Sequence, residues 1–352
     1  MLPSQTVRAL STKAYQGDKE AQYELGIQLI KQSNNVSEAN QWLEKAANQG
    51  HVQAKFELAK YYARLPSQFS HLSGGDNYLK AASYFLEIVG ACHEASEYLK
   101  PSSGLYQKLL NLASGAAFYN PGQAFFLLGC IHAQDEFQCK NPQKVIEFYT
   151  QAATKYYHTV AANALGKIYY HGELGVTKDN KKAFSFLTHI YQCGKADPVT
   201  YEYLGHLHAE GQEGISPNLN EAIIAYQRAE MLGNKAIMYE FGVAYYKKMI
   251  AVNPSSYERE ACKSKAINYL KKATTASIAP KKSQANNYLG LVYCKAQQWA
   301  EAEPFFLAAA QDLPIAQNNL ATLYHYRFSP PRISKAIYWY QKAAENHYAD
   351  AE

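Results

Sequence analysis

No stretch of this chain is apolar for long enough to cross a membrane as a helix. No Cys-x-x-Cys spacing occurs among its six cysteines, Cys92, Cys130, Cys139, Cys193, Cys262 and Cys294. That removes the commonest redox and zinc patterns and leaves free, mostly buried thiols as the expectation. Charged residues make up 18% of the chain, below the usual quarter. The net charge of +5 is modest, which makes nucleic acid a weak expectation as a partner. There is no Ser/His/Asp or Cys/His signature, and no strand leads into the Gly-Glu-Leu-Gly-Val loop at Gly172 to Val176, so it does not read as a phosphate cradle. No catalytic residue, cofactor or metal is expected. The first 18 residues have no apolar signal core, so the chain as written reads as cytoplasmic, with later translocation or a signal removed earlier left open.

What is present is repetition. Residues 161–194 form one full copy of a unit written about nine times. Its landmarks are Ala161, Leu165, Gly166, Tyr169, Gly172, Gly175, Asp179, Ala183, Phe186 and Gly194. Steps of three and four place Ala161, Leu165 and Tyr169 on one helix face, and Ala183, Phe186 and Ile190 on another. Each segment is about a dozen residues long, marginal for an isolated helix. The helices must therefore be held by neighbours, and paired copies must stack.

A glycine recurs inside the first helix of the unit, as Gly26, Gly129, Gly166, Gly205, Gly242 and Gly290, with Ala59 and Ala321 in equivalent places. Mid-helix glycine costs about 1 kcal/mol relative to alanine. The simplest cause for its return is a helix–helix approach too close for a side chain. Apolar residues, at 47%, suffice for a continuous core, and 30 tyrosines suit half-buried aromatic landmarks.

The Ala-x3-Leu-Gly-x2-Tyr core, the Gly-x2-Gly-Val loop, Asp179 and the alanine-to-aromatic-to-glycine second segment resemble the Sel-one-like repeat (SLR) family. That family is a branch of the tetratricopeptide-type α/α solenoids. The resemblance implies an all-α, right-handed superhelical solenoid, a usual role in scaffolding protein complexes, and no chemistry. The expected array is a single body. It opens with a half-repeat cap at 4–17, followed by repeats at 21–50, 54–92, 94–116, 124–156, 161–194, 200–233, 237–277, 285–313 and 316–347, and residues 348–352 start a further helix. The third repeat is the weakest: Glu94 to Lys100 reads as a shortened first helix broken by Pro101. Some repeats of this kind are stapled by a regular cysteine pair, a regularity absent here.

The resemblance also implies that the first helices line a concave groove. Its expected lining includes Tyr23, Phe56, Phe126, Asn163, Glu202, Tyr239, Asn287 and Asn318 in one row. Lys60, Lys167, His206, Arg64, Tyr170, His171, Glu210, Tyr246, Lys247, Lys295, His325 and Tyr326 fall in the next two. Amide side chains both donate and accept, so Asn287 and Asn318 suit an extended peptide backbone, with Lys295 available for a carboxylate. The plainer reading is a solvated helix face.

A second feature is charge. Between Ala244 and Lys282 stand Lys247, Lys248, Arg259, Lys263, Lys265, Lys271, Lys272, Lys281 and Lys282, nine basic residues against Glu258 and Glu260, a local +7. That could draw an acidic protein, a peripheral anionic membrane surface or nucleic acid, or be an ordinary lysine-rich face. A metal or proton-handling site at Glu202, His206 and Glu210, four residues apart on one helix, is the different-class alternative. His208 and His132 fall at aromatic landmarks and read as core. Within the binding class, the alternative is a bacterial effector acting on host trafficking proteins, since the family resembled here is common at that interface. The expected function is a non-catalytic adaptor for a protein or peptide.

Overall fold

The computed structural model describes residues 5–32, 36–64, 74–115, 120–211, 216–253, 256–276 and 279–346. The expected loop from Leu65 falls largely outside them, as do Gly214, Pro254 and the expected helix start after residue 347. All regular structure among the described residues is helical, and no described helix is long and apolar enough to cross a membrane. The chain divides into two compact units, Met1–Lys178 and Asp179–Glu352.

In the first unit, α1 (Gln5–Tyr15) packs on α2 (Lys19–Gln32), which pairs with α3 (Val36–Asn48). The next pair is α4 (Val52–Arg64) with α5 (Gly74–Ile88), followed by α6 (Glu94–Leu99) with α7 (Gly104–Ser114). Then comes α8 (Pro121–Ala133) with α9 (Pro142–Thr150), which runs into a π turn at Gln151–Lys155. The unit's last helix is α10 (Thr159–His171). The second unit begins with α11 (Asn180–Gln192). Its pairs are α12 (Pro198–Glu210) with α13 (Leu219–Met231) and α14 (Met238–Ala251) with α15 (Tyr257–Ala276). They continue with α16 (Ala279–Lys295) and α17 (Trp299–Ala309), then α18 (Pro314–Tyr326) and α19 (Ile333–Glu345). As the chain's punctuation suggests, α6 is only six residues long and stops before Pro101.

Helices touch at Gly26, Gly129, Gly205, Gly242 and Gly290. A Cβ added at Gly26 would lie 2.9 Å from Leu43, at Gly242 2.6 Å from Leu270, and at Gly290 2.5 Å from Phe306. At Gly129 and Gly205 it would overlap the rings of Tyr149 and Tyr226. The intruding side chain stands four residues after the small landmark of the second helix (Ala39, Val145, Ala222, Ala266 or Ala302), one place beyond the aromatic singled out in the sequence. Tyr84, Phe148, Tyr269, Phe305 and Trp339 occupy that earlier position and are half-buried, as expected of the aromatic landmarks. Trp42 is the exception and is buried. A residue at the fourth position lies over the landmark alanine, directly toward the partner helix.

Caps fix where the helices begin. The Asp179 carboxylate accepts from the Lys182 amide at 2.9 Å, which gives that landmark its physical role. Asp197 and Thr200 close a capping box at the start of α12. The loop glycines are conformational: Gly172 ends α10 at φ 72° and Gly175 follows at φ 76°, in the left-handed region that side chains resist.

The cores follow the pairing. One buried cluster runs through the first unit from Leu43 to Phe137. Another joins Ala222, Phe241, Leu270 and Leu289 in the second, and Phe306 and Tyr324 lie in a third, with Ala302, Leu320 and Ala336. Of the thiols expected to be mostly buried, Cys92 and Cys262 are buried, Cys130, Cys139 and Cys294 are half-buried, and Cys193 is exposed.

Candidate partner-binding surface

In the first unit the row expected to be open is largely used to join one pair to the next. Tyr23 stacks on His51 with ring centroids 4.5 Å apart. His51 in turn caps α4, accepting from the Ala54 amide, while its Nε2 lies 3.0 Å from Glu20. Phe126 stacks on His158 at 4.8 Å, and His158 meets Gln123 at 2.9 Å. Phe56 is 6% exposed, packed edge-on against Phe85 and Tyr98. Its place in an open groove is therefore corrected to the core, because this side of α4 faces α5 and α6. Lys60 sits 4.9 Å above that ring and 2.7 Å from Glu57. Asn163 is buried. Lys167 is exposed, 3.5 Å from Glu173. Tyr170 meets His171 edge-on at 4.8 Å, and the Lys178 ammonium lies 4.7 Å from the Tyr170 ring.

In the second unit, Asn234 Nδ2 donates to Glu202 Oε2 at 2.8 Å. His206 Nε2 lies 3.7 Å from Glu202 Oε1, and its Nδ1 lies 3.0 Å from the Tyr226 hydroxyl. The hydrogen bond with His206 holds the Glu202 carboxyl below its usual range, against the opposite pull of burial. Both imidazole nitrogens thus face protein groups, and Glu210 stands at the exposed end of α12. Among the described residues no three His, Cys, Asp or Glu side chains gather at metal-binding distances. The joint site at Glu202, His206 and Glu210 is corrected accordingly: four-residue spacing shares a face without making side chains converge.

Tyr239 and Tyr246 flank Tyr288, at 5.9 and 5.4 Å, and burial raises the Tyr239 hydroxyl pKa. Tyr246 is buried, so it leaves the open row. A cavity of about 120 Å³ opens between α12 and α14, bounded by His206, Glu210, Tyr239, Glu240 and Lys247. Glu240 Oε1 takes the Lys281 ammonium at 3.0 Å, whereas its Oε2 is buried with no hydrogen-bond partner among the described residues. Further along, Asn287 is buried and its Oδ1 accepts from Asn319 Nδ2 at 2.9 Å. The expected clamp of Asn287 with Asn318 is therefore corrected, since the first amide oxygen already joins two helices. Asn318 Oδ1 is buried and unpartnered among the described residues. Lys295 is exposed, and its carbonyl accepts from Arg259 at 3.2 Å.

The basic stretch is largely compensated. Lys248 pairs with Glu258 at 2.8 Å and Lys263 with Glu260 at 3.1 Å. Lys272 reaches back to Glu230 at 3.3 Å, and Lys281 to Glu240 at 3.0 Å. Lys265 lies 5.2 Å from the Tyr245 ring. Lys247, Lys271 and Lys282 remain exposed. The local +7 counted along the sequence overstates the field, because Glu230 and Glu240 come from earlier helices.

Two structural residues escaped notice in the sequence. Gln22 donates to the Ala14 carbonyl at 3.0 Å and accepts from Gln49 at 2.8 Å. Gln317 repeats the arrangement, donating to Ala310 at 2.8 Å and accepting from Asn346 at 3.1 Å. Both are buried glutamines placed directly after the opening alanine. That shared Ala-Gln pair was the available signal.

The fold and these contacts define an array of paired helices whose polar rows link successive pairs. The Sel1 repeat family model matches at residues 19–51, 159–188, 200–234 and 314–348. The resemblance read from the sequence is thus shown at four places along the chain. Such repeats generally serve protein-interaction scaffolds and are typically non-catalytic. No curated protein matches the chain. Among solved structures, it is similar to a protective antigen of uropathogenic Escherichia coli strains displaying an SLR fold. The identity is 18%, covering 98% of this chain and 73% of that one, with a TM-score of 0.48. It is also similar to a Sel1 repeat protein from Oxalobacter formigenes, at 23% identity over 72% of this chain and 100% of that one, with a TM-score of 0.42. Likenesses at this level bear on neither activity nor partner.

Proposed function

We propose that the protein is a non-catalytic scaffold that holds a protein or peptide against the first helices of its second unit, α12, α14, α16 and α18. The observation that carries this reading is a pair of buried acceptors on that row, Glu240 Oε2 and Asn318 Oδ1, with no hydrogen-bond partner among the described residues. An unsatisfied buried acceptor costs about 1–3 kcal/mol, a cost that a partner's N–H groups would relieve. Tyr239, Lys247 and Lys295 supply aromatic surface and positive charge beside them, suited to an extended segment bearing a carboxylate. The test begins with affinity capture and mass spectrometry to name the partner, followed by calorimetric titration. Asn318→Ala is expected to weaken binding about tenfold, equivalent to about 1.4 kcal/mol, and Asn287→Ala, whose oxygen is spent on Asn319, to leave it unchanged. Unchanged affinity in Asn318→Ala would remove the reading.

A further inference from the structure

One concavity of the second unit lies away from the surface just described. It has a volume of about 330 Å³ and sits between α11 and α13, with α12 as its floor. The local geometry follows from helix periodicity. Phe184, Thr188 and Tyr191 on α11 are spaced by four and three, and Glu221, Ile224 and Arg228 on α13 by three and four, so each set lines one wall. Tyr201, Leu204 and His208 of α12 close the bottom.

Aromatic rings line the interior beside polar groups. Phe184 meets His208 edge-on at 5.3 Å, and Tyr191 meets Tyr201 edge-on at 6.0 Å. Burial lowers the His208 pKa, which keeps the imidazole neutral near pH 7. Tyr191 and Ile224 are each about half exposed, large apolar groups left facing solvent at the mouth. Thr188 Oγ1 is buried without a hydrogen-bond partner among the described residues. The rim carries one charge of each sign. Glu221 and Arg228 are both exposed, form no ion pair among the described residues, and lie seven residues apart, about 10 Å along α13.

We propose that this pocket is a second peptide-binding site, which takes one aromatic side chain flanked by a carboxylate on one side and an ammonium on the other. The volume lies at the small end of the range for ligand pockets, about 300–1,000 Å³, and suits one large side chain rather than a cofactor. Charge complementarity sets the flanks: the Arg228 guanidinium offers a two-pronged donor to a carboxylate, and Glu221 offers its carboxylate to an ammonium. Thr188 Oγ1 and the neutral His208 remain for a polar edge of the ring or the adjacent peptide group. The site shares no helix face with the acceptor row of Glu240 and Asn318, so either proposal can fail alone.

The test uses the full chain with methyl-labelled isoleucine and leucine and three capped peptides, Ac-Glu-Trp-Lys-NH2, Ac-Glu-Ala-Lys-NH2 and Ac-Lys-Trp-Lys-NH2. The first should shift the Ile224 and Leu204 methyl resonances saturably. The alanine peptide should not, and the doubly basic one should bind about fivefold more weakly, the scale of one exposed ion pair. Arg228→Glu should reverse the order of the two tryptophan peptides, and Ile224→Glu should reduce binding of Ac-Glu-Trp-Lys-NH2. Both positions are exposed, so circular dichroism should be unchanged. No shift at Ile224 or Leu204, equal binding of the alanine peptide, or an order unaffected by Arg228→Glu would each overturn the proposal.

Discussion

At the scale of single residues, the protein turns on what stands opposite a glycine. Gly205 lets the Tyr226 ring lie against the backbone of α12, and Gly129 does the same for Tyr149 on α8. Gly205→Ala should gain about 1 kcal/mol of helix propensity yet lose about 1–3 kcal/mol to overpacking. A net fall in the urea midpoint is expected. Gly26→Ala should be milder, because its nearest contact, the Leu43 side chain at 2.9 Å, overlaps less than the Tyr226 ring at 2.4 Å from Gly205; denaturant titration of the two variants compares them directly. A second residue-scale prediction concerns His132, which is buried between the Tyr106 hydroxyl at 2.9 Å and the Cys139 carbonyl at 2.7 Å. Burial lowers its pKa below the ordinary 6.5. Above that ordinary value both folded and unfolded states are neutral and no stability is lost. As pH falls below it, the unfolded state takes up the proton first, so stability declines toward the lowered folded value. Urea midpoints measured between pH 7.5 and pH 5.5 should fall, and His132→Gln should flatten that slope.

At the scale of elements, helices of eleven to fourteen residues depend on their ends. Asp197 accepts from the Thr200 amide at 2.8 Å while the Thr200 hydroxyl faces back to it. Asp197→Ala should cost about 1 kcal/mol, seen as a lower thermal midpoint, and Asp197→Asn should retain most of the stability. Helix existence was legible in the chain because the period of buried alanines and leucines is local. The depth of each aromatic was not: Phe148 and Tyr149 are adjacent, both aromatic, and only the rotation of α9 on α8 decides that Tyr149 meets the glycine. Gln317 was obscure for a similar reason, since its two partners lie at Ala310 and Asn346, and only the stacking of one pair on the next brings them to it.

At the scale of the molecule, each unit carries its own buried clusters, and part of the charge is arranged in pairs between alternate helices. The stretch from Ala244 to Lys282 reads as strongly basic in one dimension, but Glu230 and Glu240 meet Lys272 and Lys281 in three. Replacing both with glutamine should leave those lysines uncompensated and delay elution from an immobilised polyanion such as heparin, with circular dichroism unchanged. Equal elution would mean that those ion pairs do not govern the surface field. Exposed pairs of this kind contribute only about 0–1 kcal/mol each to stability, so the effect belongs to binding and not to folding.

By itself the sequence determined the helices and the close approach at Gly26, Gly129, Gly205, Gly242 and Gly290, because those depend on spacings of three and four within one segment. It also carried the family resemblance, since a landmark returning many times is visible without coordinates. Only the tertiary structure decided that Phe56 belongs to the core, that Asn287 is spent on Asn319, and that Arg228, Tyr191 and His208 share a pocket. The physical reason is register. Which side chains meet between neighbouring helices depends on rotations and translations of a few ångströms, and those are set by packing many residues at once, not by any short stretch of chain.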